Sequence, residues 1–476
     1  MRRMAFALAG LALATALAGT ARAQTGRELS EAVAEYVTVN APLVALTNVQ
    51  VVDGTGAPPI AGATVVIRDG VIEAVGMGVA VPDGAEILDL AGHTVIPGIV
   101  GLHDHTFYTT AGRVVQTNET APKLYLGSGV TTIRTTGSYH PYSELNLKRA
   151  IDGGRLPGPR IHVTGPYLIS SGPGGDMSDT TLDDPAEARR VVGYWAEEGA
   201  TWFKVYTRIS RADLAAVIDE AHARGRKVTG HICSVSFREA VELGIDNLEH
   251  GFFTNSDYVP GKIPDICPTD LEARLLEVDL DGPEVQATFR DMVEHGVAMT
   301  STLAIYETFV PNRPPLEERV LELMAPEVRA EYLATREQIA ATAGANPWPE
   351  LFARAQAYER AFVEAGGLLA AGVDPTGIGG ALAGLGDQRN LELLVEAGFT
   401  PVEAIQIMTA NGAKVLGEYE RYGSIEPGKL AELVVIDGDP VARPAEIRNV
   451  TLVFKDGLGF DGPKLIESTK GIVGIR

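Results

Sequence analysis

Hydrophobic and polar positions divide the chain into three textures. From Ala45 apolar and polar residues alternate in short runs, Leu46–Asp53, Thr64–Gly70, Val71–Gly76 and Ala85–Leu90. Glycines break these runs, and the Asp69-Gly70 pair marks a hairpin. The same texture returns at Ala431–Asp437 and Val450–Gly457. Each part alone would leave an apolar face uncovered, so the two ends of the chain are expected to build one small β-sandwich. The long middle alternates differently. Eight apolar, β-branched runs, Val95–Leu102, Val130–Thr135, Ile161–Gly165, Thr201–Val205, Val228–His231, Asn247–His250, Val297–Leu303 and Leu368–Asp374, are predicted strands. Helical patterns such as Pro185–Glu198, Arg211–Ala223 and Phe237–Leu243 lie between them. Strand–helix alternation means parallel strands, and eight of them point to an α/β fold of the closed (β/α)8, TIM-like kind.

The pattern sets domain boundaries. Residues 24–94 and 421–476 form the two parts of the sandwich and residues 95–420 the barrel. A short leading helix is expected over residues 27–38. Thr400, Pro401 and Glu403 have the spacing of a capping box and open a helix that Gly417 ends. The link between the seventh and eighth strands, about residues 306–365, is long enough to be a lid or substrate-facing cap, with an inert surface elaboration as the alternative.

Residues 1–23 stand apart. Arg2 and Arg3, an apolar stretch from Ala5 to Ala18, and Ala21-Arg22-Ala23 before Gln24 have the form of a cleavable secretory signal, so the protein is expected in the periplasm or outside the cell. No later stretch is apolar for long enough to span a bilayer. The formal charge is −22, and −25 without the three leader arginines, which argues against nucleic acid and anionic membrane as partners. A small-molecule substrate fits better; a homo-oligomer is left open. Cys233 and Cys267 make no disulfide framework, and Cys233, beside a candidate ligand, is expected to be a free buried thiol.

The chemistry lies at the strand ends. His103 and His105 close the first strand of the middle region one residue apart, so both imidazoles can face one side. Neutral imidazole is a common transition-metal ligand. Lys204, His231, His250 and Asp374 also lie at or just past the ends of predicted strands, where (β/α)8 folds carry their catalytic groups. His140, after the second strand, and Tyr206, two positions after Lys204, are candidates for touching substrate. Arg134 also ends the second strand, as a site candidate or a structural residue, and Ser170–Asp176, after the third, is a candidate pocket-side loop. His93, His162, His222 and His295 are assigned to structure or surface.

With these residues in place the chain resembles the amidohydrolase superfamily of metal-dependent hydrolases. Pro97-Gly98 before His103-x-His105, Lys204, Gly230-His231, Glu249-His250-Gly251, Ala371–Asp374, Thr400–Ala404 and Pro427–Leu433 carry the resemblance, over about residues 45–456. It is similar above all to the prolidase-like and imidazolonepropionase-like branch, which has a lysine on the fourth strand. The resemblance implies that His103, His105 and Asp374 bind one divalent metal and His231 and His250 a second. Lys204, carboxylated by CO2 to a carbamate, would bridge both. Zinc suits this nitrogen and oxygen set, with manganese, cobalt or iron as alternatives. A metal-bridging hydroxide would attack the carbonyl, and Asp374 would serve as general base and then acid. The expected activity is hydrolysis of amide C–N bonds in small dipeptide-like or N-acyl substrates. Hydrolysis of a cyclic amide, lactone or ester at the same centre is the alternative, and a non-catalytic binding protein on the same barrel is the second. Prolidase-like relatives often carry a Gly-rich segment after the lysine; this chain has Val205–Ser210 there, so the resemblance supplies no site for a substrate carboxylate.

Overall fold

The single strand expected over Val95–Leu102 is two strands. A computed structural model, which describes residues 27–110, 113–172, 180–376 and 379–475, breaks it at Gly98 into His93–Pro97 and Ile99–Asp104. Pro97 has no N–H to donate to a ladder, and a Cβ on Gly98 would lie 2.1 Å from Thr131 Oγ1, so only glycine passes the neighbouring strand there. The two halves join different sheets. His93–Pro97 runs antiparallel to Leu433–Asp437, whereas Ile99–Asp104 runs parallel to Val130–Thr135.

The fold is mixed α/β. Both chain ends meet in one nine-stranded sheet, in which Leu433–Asp437 lies between His93–Pro97 and Val450–Lys455. Alternation along Leu433–Asp437 explains why neither end stands alone. Leu433 and Val435 pack with Val44, Leu46 and Val65 in the core of this small unit. Val434 and Ile436 point the other way and join the core of the parallel strands. The hairpin at Asp69-Gly70 forms as expected, with both residues at positive φ (51° and 79°), as a two-residue type I′ turn requires. The leading helix is only Glu31–Ala34, and the chain then turns into a strand, Val37–Val39, that pairs with Leu458–Asp461. The β-branched Val37, Thr38 and Val39 favour that pairing over a longer helix.

The middle of the chain holds two parallel sheets. One has three strands, in the order Arg160–His162, Val130–Thr135, Ile99–Asp104. The other has seven and runs from Thr181–Leu182 and Tyr167–Ser170 through Trp202–Val205, Lys227–Gly230, Asn247–Glu249 and Ala298–Ser301 to Leu369–Ala371. Of the third predicted strand, Ile161–Gly165, only Ile161 and His162 lie in a strand; the chain enters the second sheet at Tyr167, and between the two Val163 O accepts from Thr201 N. The last strand reaches back to the first: Asp374 N donates to His103 O at 2.7 Å. A Cβ on Gly372 would lie 2.2 Å from His103 N, so the close approach there needs glycine.

Helices Pro185–Glu198, Arg211–Ala223 and Phe237–Leu243 have the expected bounds, and Asp184, Ser210 and Ser236 each accept a backbone N–H of the first turn. The Thr400 capping box is present, but the helix it opens widens into a π turn at Ile407–Asn411 before Gly417 closes it. The long insertion carries helices Pro326–Ala341 and Trp348–Glu364. Cys233 is not free: it is disulfide-bonded to Cys267, with Cα atoms 4.9 Å apart. The loop after Asn255 folds back on the end of the fifth strand, where Ser256 Oγ donates to Cys233 O at 2.8 Å, and so brings the two thiols together. Among the described residues no helix is long and apolar enough to cross a membrane. The leader at 1–23 lies outside the described residues.

Candidate metal centre

The parallel strands deliver their ends to one place. His103, His250 and Asp374 each offer a ligand atom within 4.8 Å of the others. Asp374 is the hub. Its Oδ1 lies 3.1 Å from His105 Nε2, and its Oδ2 lies 3.5 Å from His103 Nε2 and 4.0 Å from His250 Nε2. His231 joins through its ring, 4.4 Å from that of His250. Lys204 is fully buried on the neighbouring strand, and its Nζ has no hydrogen bond among the described residues. His250 and Asp374 both adopt left-handed backbone, φ 66° and 54°. That conformation is uncommon for side-chain-bearing residues and clusters at functional sites.

The atoms left over fit a cation. His103 Nδ1 donates to Glu249 Oε2 at 2.8 Å, which keeps Nε2 as the free lone pair on the Asp374 side. His250 Nδ1 shares a 2.8 Å hydrogen bond with Thr302 Oγ1, while its buried Nε2 has no hydrogen-bond partner among the described residues. His105 Nδ1 is likewise buried and unbonded. Unpaired buried polar atoms are costly, and four imidazoles with one carboxylate form a donor set suited to zinc-like ions.

The electrostatics agree. Burial, reinforced by the Lys204 ammonium, holds the His103 imidazole well below its ordinary pKa and lowers His231 to about 3. Burial and the neighbouring His231 and His103 do the same to His250. All three stay neutral, the form that ligates. Burial alone would raise Asp374, but His103, His105 and Lys204 outweigh it and keep the carboxylate ionised. Burial lowers Lys204 to about 8 against the opposing pull of Glu249 and Asp374.

Glu249 is the functional residue that sequence reasoning quoted only as part of a motif. Fully buried, it takes hydrogen bonds from His103, Arg134, Thr229 and Asn247. Burial would raise its carboxyl, yet Arg134 and Lys204 hold it below the ordinary value. Its signal was an acidic residue within an apolar strand. Arg134 is structural, bonded to Glu249 and to Leu102 O. Tyr206 sits beside the cluster, ring centroids 4.6 Å from His231. His140 is exposed at the start of helix Pro141–Asp152, its N–H bonded to Ser138 Oγ, and the adjacent Tyr139 is the residue that packs inward, against Phe107 and Tyr167. Ser170 supports helix Arg211–Ala223 by accepting from Ser210 N, and the rest of its loop, from residue 173, lies outside the described residues. The other histidines have local partners: His162 beside the Tyr422 hydroxyl, His222 on Asp246, His295 on Asp291 O, and His93 near Ala91 O.

The amidohydrolase family matches residues 94–458. Among solved structures, a Xaa-Pro dipeptidase with methionine in its active site is 21% identical, with 88% of this chain and 100% of that chain covered and a TM-score of 0.66. A candidate prolidase from Bifidobacterium longum is 26% identical over 90% of this chain and 98% of that one, with a TM-score of 0.65. Bottromycin amidohydrolase is 20% identical over 90% and 91%, with a TM-score of 0.68. No curated protein matches the sequence.

Proposed function

Because the chain belongs to the amidohydrolase family, we propose that this hydrolase is an exported, metal-dependent enzyme that cleaves amide C–N bonds in small dipeptide-like or N-acyl substrates. The observation that carries this reading is the convergence of His103, His250 and Asp374 within 4.8 Å, with His105 3.1 Å from Asp374. His103, His105 and Asp374 would hold one divalent ion, His231 and His250 a second, and Lys204 as a carbamate would join them. Such ions, when bound, lower the pKa of water and polarise a carbonyl. A closed (β/α)8 barrel over residues 95–420, with a sandwich from 24–94 and 421–476, fits the single sheet made from both chain ends and the Asp374-to-His103 bond.

The chain's own groups have distinct tasks. A carboxylate oxygen of Asp374, ionised among three imidazoles, takes the proton of the attacking water and returns it to the leaving amine nitrogen. Glu249 fixes the tautomer and direction of His103. Burial lowers Lys204 Nζ to about 8, so about half of it is the neutral amine at pH 8. That amine attacks the carbon of CO2, forms the N–C bond and releases one proton to solvent. The Cys233–Cys267 disulfide suits an oxidising compartment, which supports export of the chain.

Metal content of the purified mature protein is the first test, measured beside hydrolysis of dipeptides, N-acyl amino acids, lactones and aryl esters before and after chelation. About two ions per chain and chelator-sensitive amide cleavage are expected. Bound metal with turnover of lactones or esters alone overturns the amide reading. Absence of metal and of turnover after adding zinc and bicarbonate overturns the enzyme reading.

A further inference from the structure

The four histidines belong to a closed circuit of rings. From His105 it passes to Phe107 at 4.5 Å between centroids, to Tyr139 at 5.0 Å, to Tyr167 at 5.4 Å and to Tyr206 at 5.2 Å. It returns through His231 at 4.6 Å, His250 at 4.4 Å and His103 at 4.5 Å to His105 at 5.4 Å. Half of this circuit is ligand and half is aromatic wall. The wall comes from segments that follow the first four predicted strands, so it stands on the side where the ligand ends emerge.

A second group of rings comes from the other direction. Tyr306 packs edge-on against His250 at 5.4 Å and stacks on Phe253 at 3.8 Å, with planes 16° apart. Trp348 lies nearly parallel to both Tyr306 and Phe309, at 5.7 and 4.7 Å. Tyr306, Phe309 and Trp348 belong to the insertion between the seventh and eighth predicted strands, so at least this part of it faces the centre. Its helix Pro326–Ala341 is seated: Cβ atoms on Gly379 and Gly380 would lie 2.1 and 2.7 Å from Tyr332. Tyr139, Tyr206, Tyr306 and Trp348 are each only half-buried. Tyr167 lies 6.4 Å between centroids from His105, and Tyr306 lies 5.4 Å from His250, so both walls border the ligand cluster.

We infer that this site selects substrates with a planar aromatic group next to the cleaved bond, held between the Tyr139–Tyr167–Tyr206 row and the Tyr306–Trp348 stack. The inference rests on the amide-hydrolase reading for the position of the bond, but ring recognition is independent of turnover. Aromatic pairs prefer offset-stacked or edge-to-face geometry and gain beyond the area they bury. A pocket that was merely apolar would favour a saturated ring, which has more apolar surface.

The experiment is calorimetric binding of phenylacetate and cyclohexylacetate to the zinc-loaded mature protein. The two carboxylates are alike at the metal, and neither contains a bond to hydrolyse. Phenylacetate is expected to bind about tenfold tighter, the size of one or two good ring contacts. Tyr306→Leu and Trp348→Leu are expected to bring the ratio to one or below, and Tyr306→Phe to keep it, with circular dichroism checking that each variant folds. Equal affinities, a preference for cyclohexylacetate, no binding of either at millimolar concentration, or a ratio that survives Tyr306→Leu overturns the inference. Failure to cleave amides with the ratio intact counts against the proposed reaction and leaves ring recognition standing.

Discussion

Two sets of rings meet at His250 and are held in opposite ways. The imidazole side is fixed by backbone and by buried hydrogen bonds: His103 by Glu249, His250 by Thr302, and Asp374 by its own amide on His103 O. On the phenol and indole side, Tyr306 stacks on Phe253 and Trp348 on Phe309. That side is anchored farther back, where Glu307, one residue after Tyr306, pairs with Arg389 and Arg313. Groups that hold ions must sit within tenths of an ångström, and strand ends in a packed core provide that precision. Groups that select a substrate need only the right shape, and an insertion can supply it without disturbing the centre.

The comparison breaks first at Asp374. Asp374→Asn removes the base at the hub, and kcat is expected to fall by about 10²–10⁴-fold. Next in size is the Cys233–Cys267 bond, which closes a segment of 34 residues beside His231. Its removal by double Cys→Ser substitution is expected to cost about 3–4 kcal/mol in a guanidinium titration. Smaller again is Glu249→Gln. The variant keeps shape but loses the charge that orients His103, and zinc affinity is expected to fall about 10–100-fold in a chelator competition. If Tyr306→Leu weakened zinc as much as Glu249→Gln does, the division between a supported centre and a separate wall would be wrong.

The sequence made the centre legible because its residues stand at strand ends, where an apolar run stops at a histidine, lysine or aspartate. His103, His105, His250 and Asp374 could be located from such stops alone. Gly98 was hidden in its strand because the residues on both sides are apolar; only the close passage of Thr131 reveals the break. The Cys233–Cys267 pairing depends on a loop that folds back after Asn255, and no local pattern encodes that return. Of the aromatic wall only Tyr206 was legible, from its place two positions after Lys204; the rest was hidden for the same reason. Tyr139, Tyr206 and Tyr306 are separated by 67 and 100 positions, and nothing in their spacing indicates that they share one mouth. Their convergence is a product of the parallel strand order.

Acid sensitivity separates the two sides most finely, because only the imidazole side holds groups whose unfolded pKa lies near neutrality. In metal-free protein His250 is neutral and its folded pKa lies well below the unfolded value of about 6.5, through burial first and then its histidine and lysine neighbours. Above pH 6.5 neither state binds the proton and His250 contributes no pH dependence. Below it the unfolded chain takes up the proton and the folded chain does not, so stability falls as pH falls. His250→Gln removes that share. The difference between wild type and variant, followed by thermal unfolding in chelator, should therefore change by about 1 kcal/mol between pH 7.5 and 5.5. Tyr306→Leu deletes a ring that stays neutral throughout this range, so its cost should be the same at both pH values. A pH-dependent cost for Tyr306→Leu equal to that of His250→Gln would mean that the wall holds the centre's geometry, and that the two sides fold and titrate as one unit.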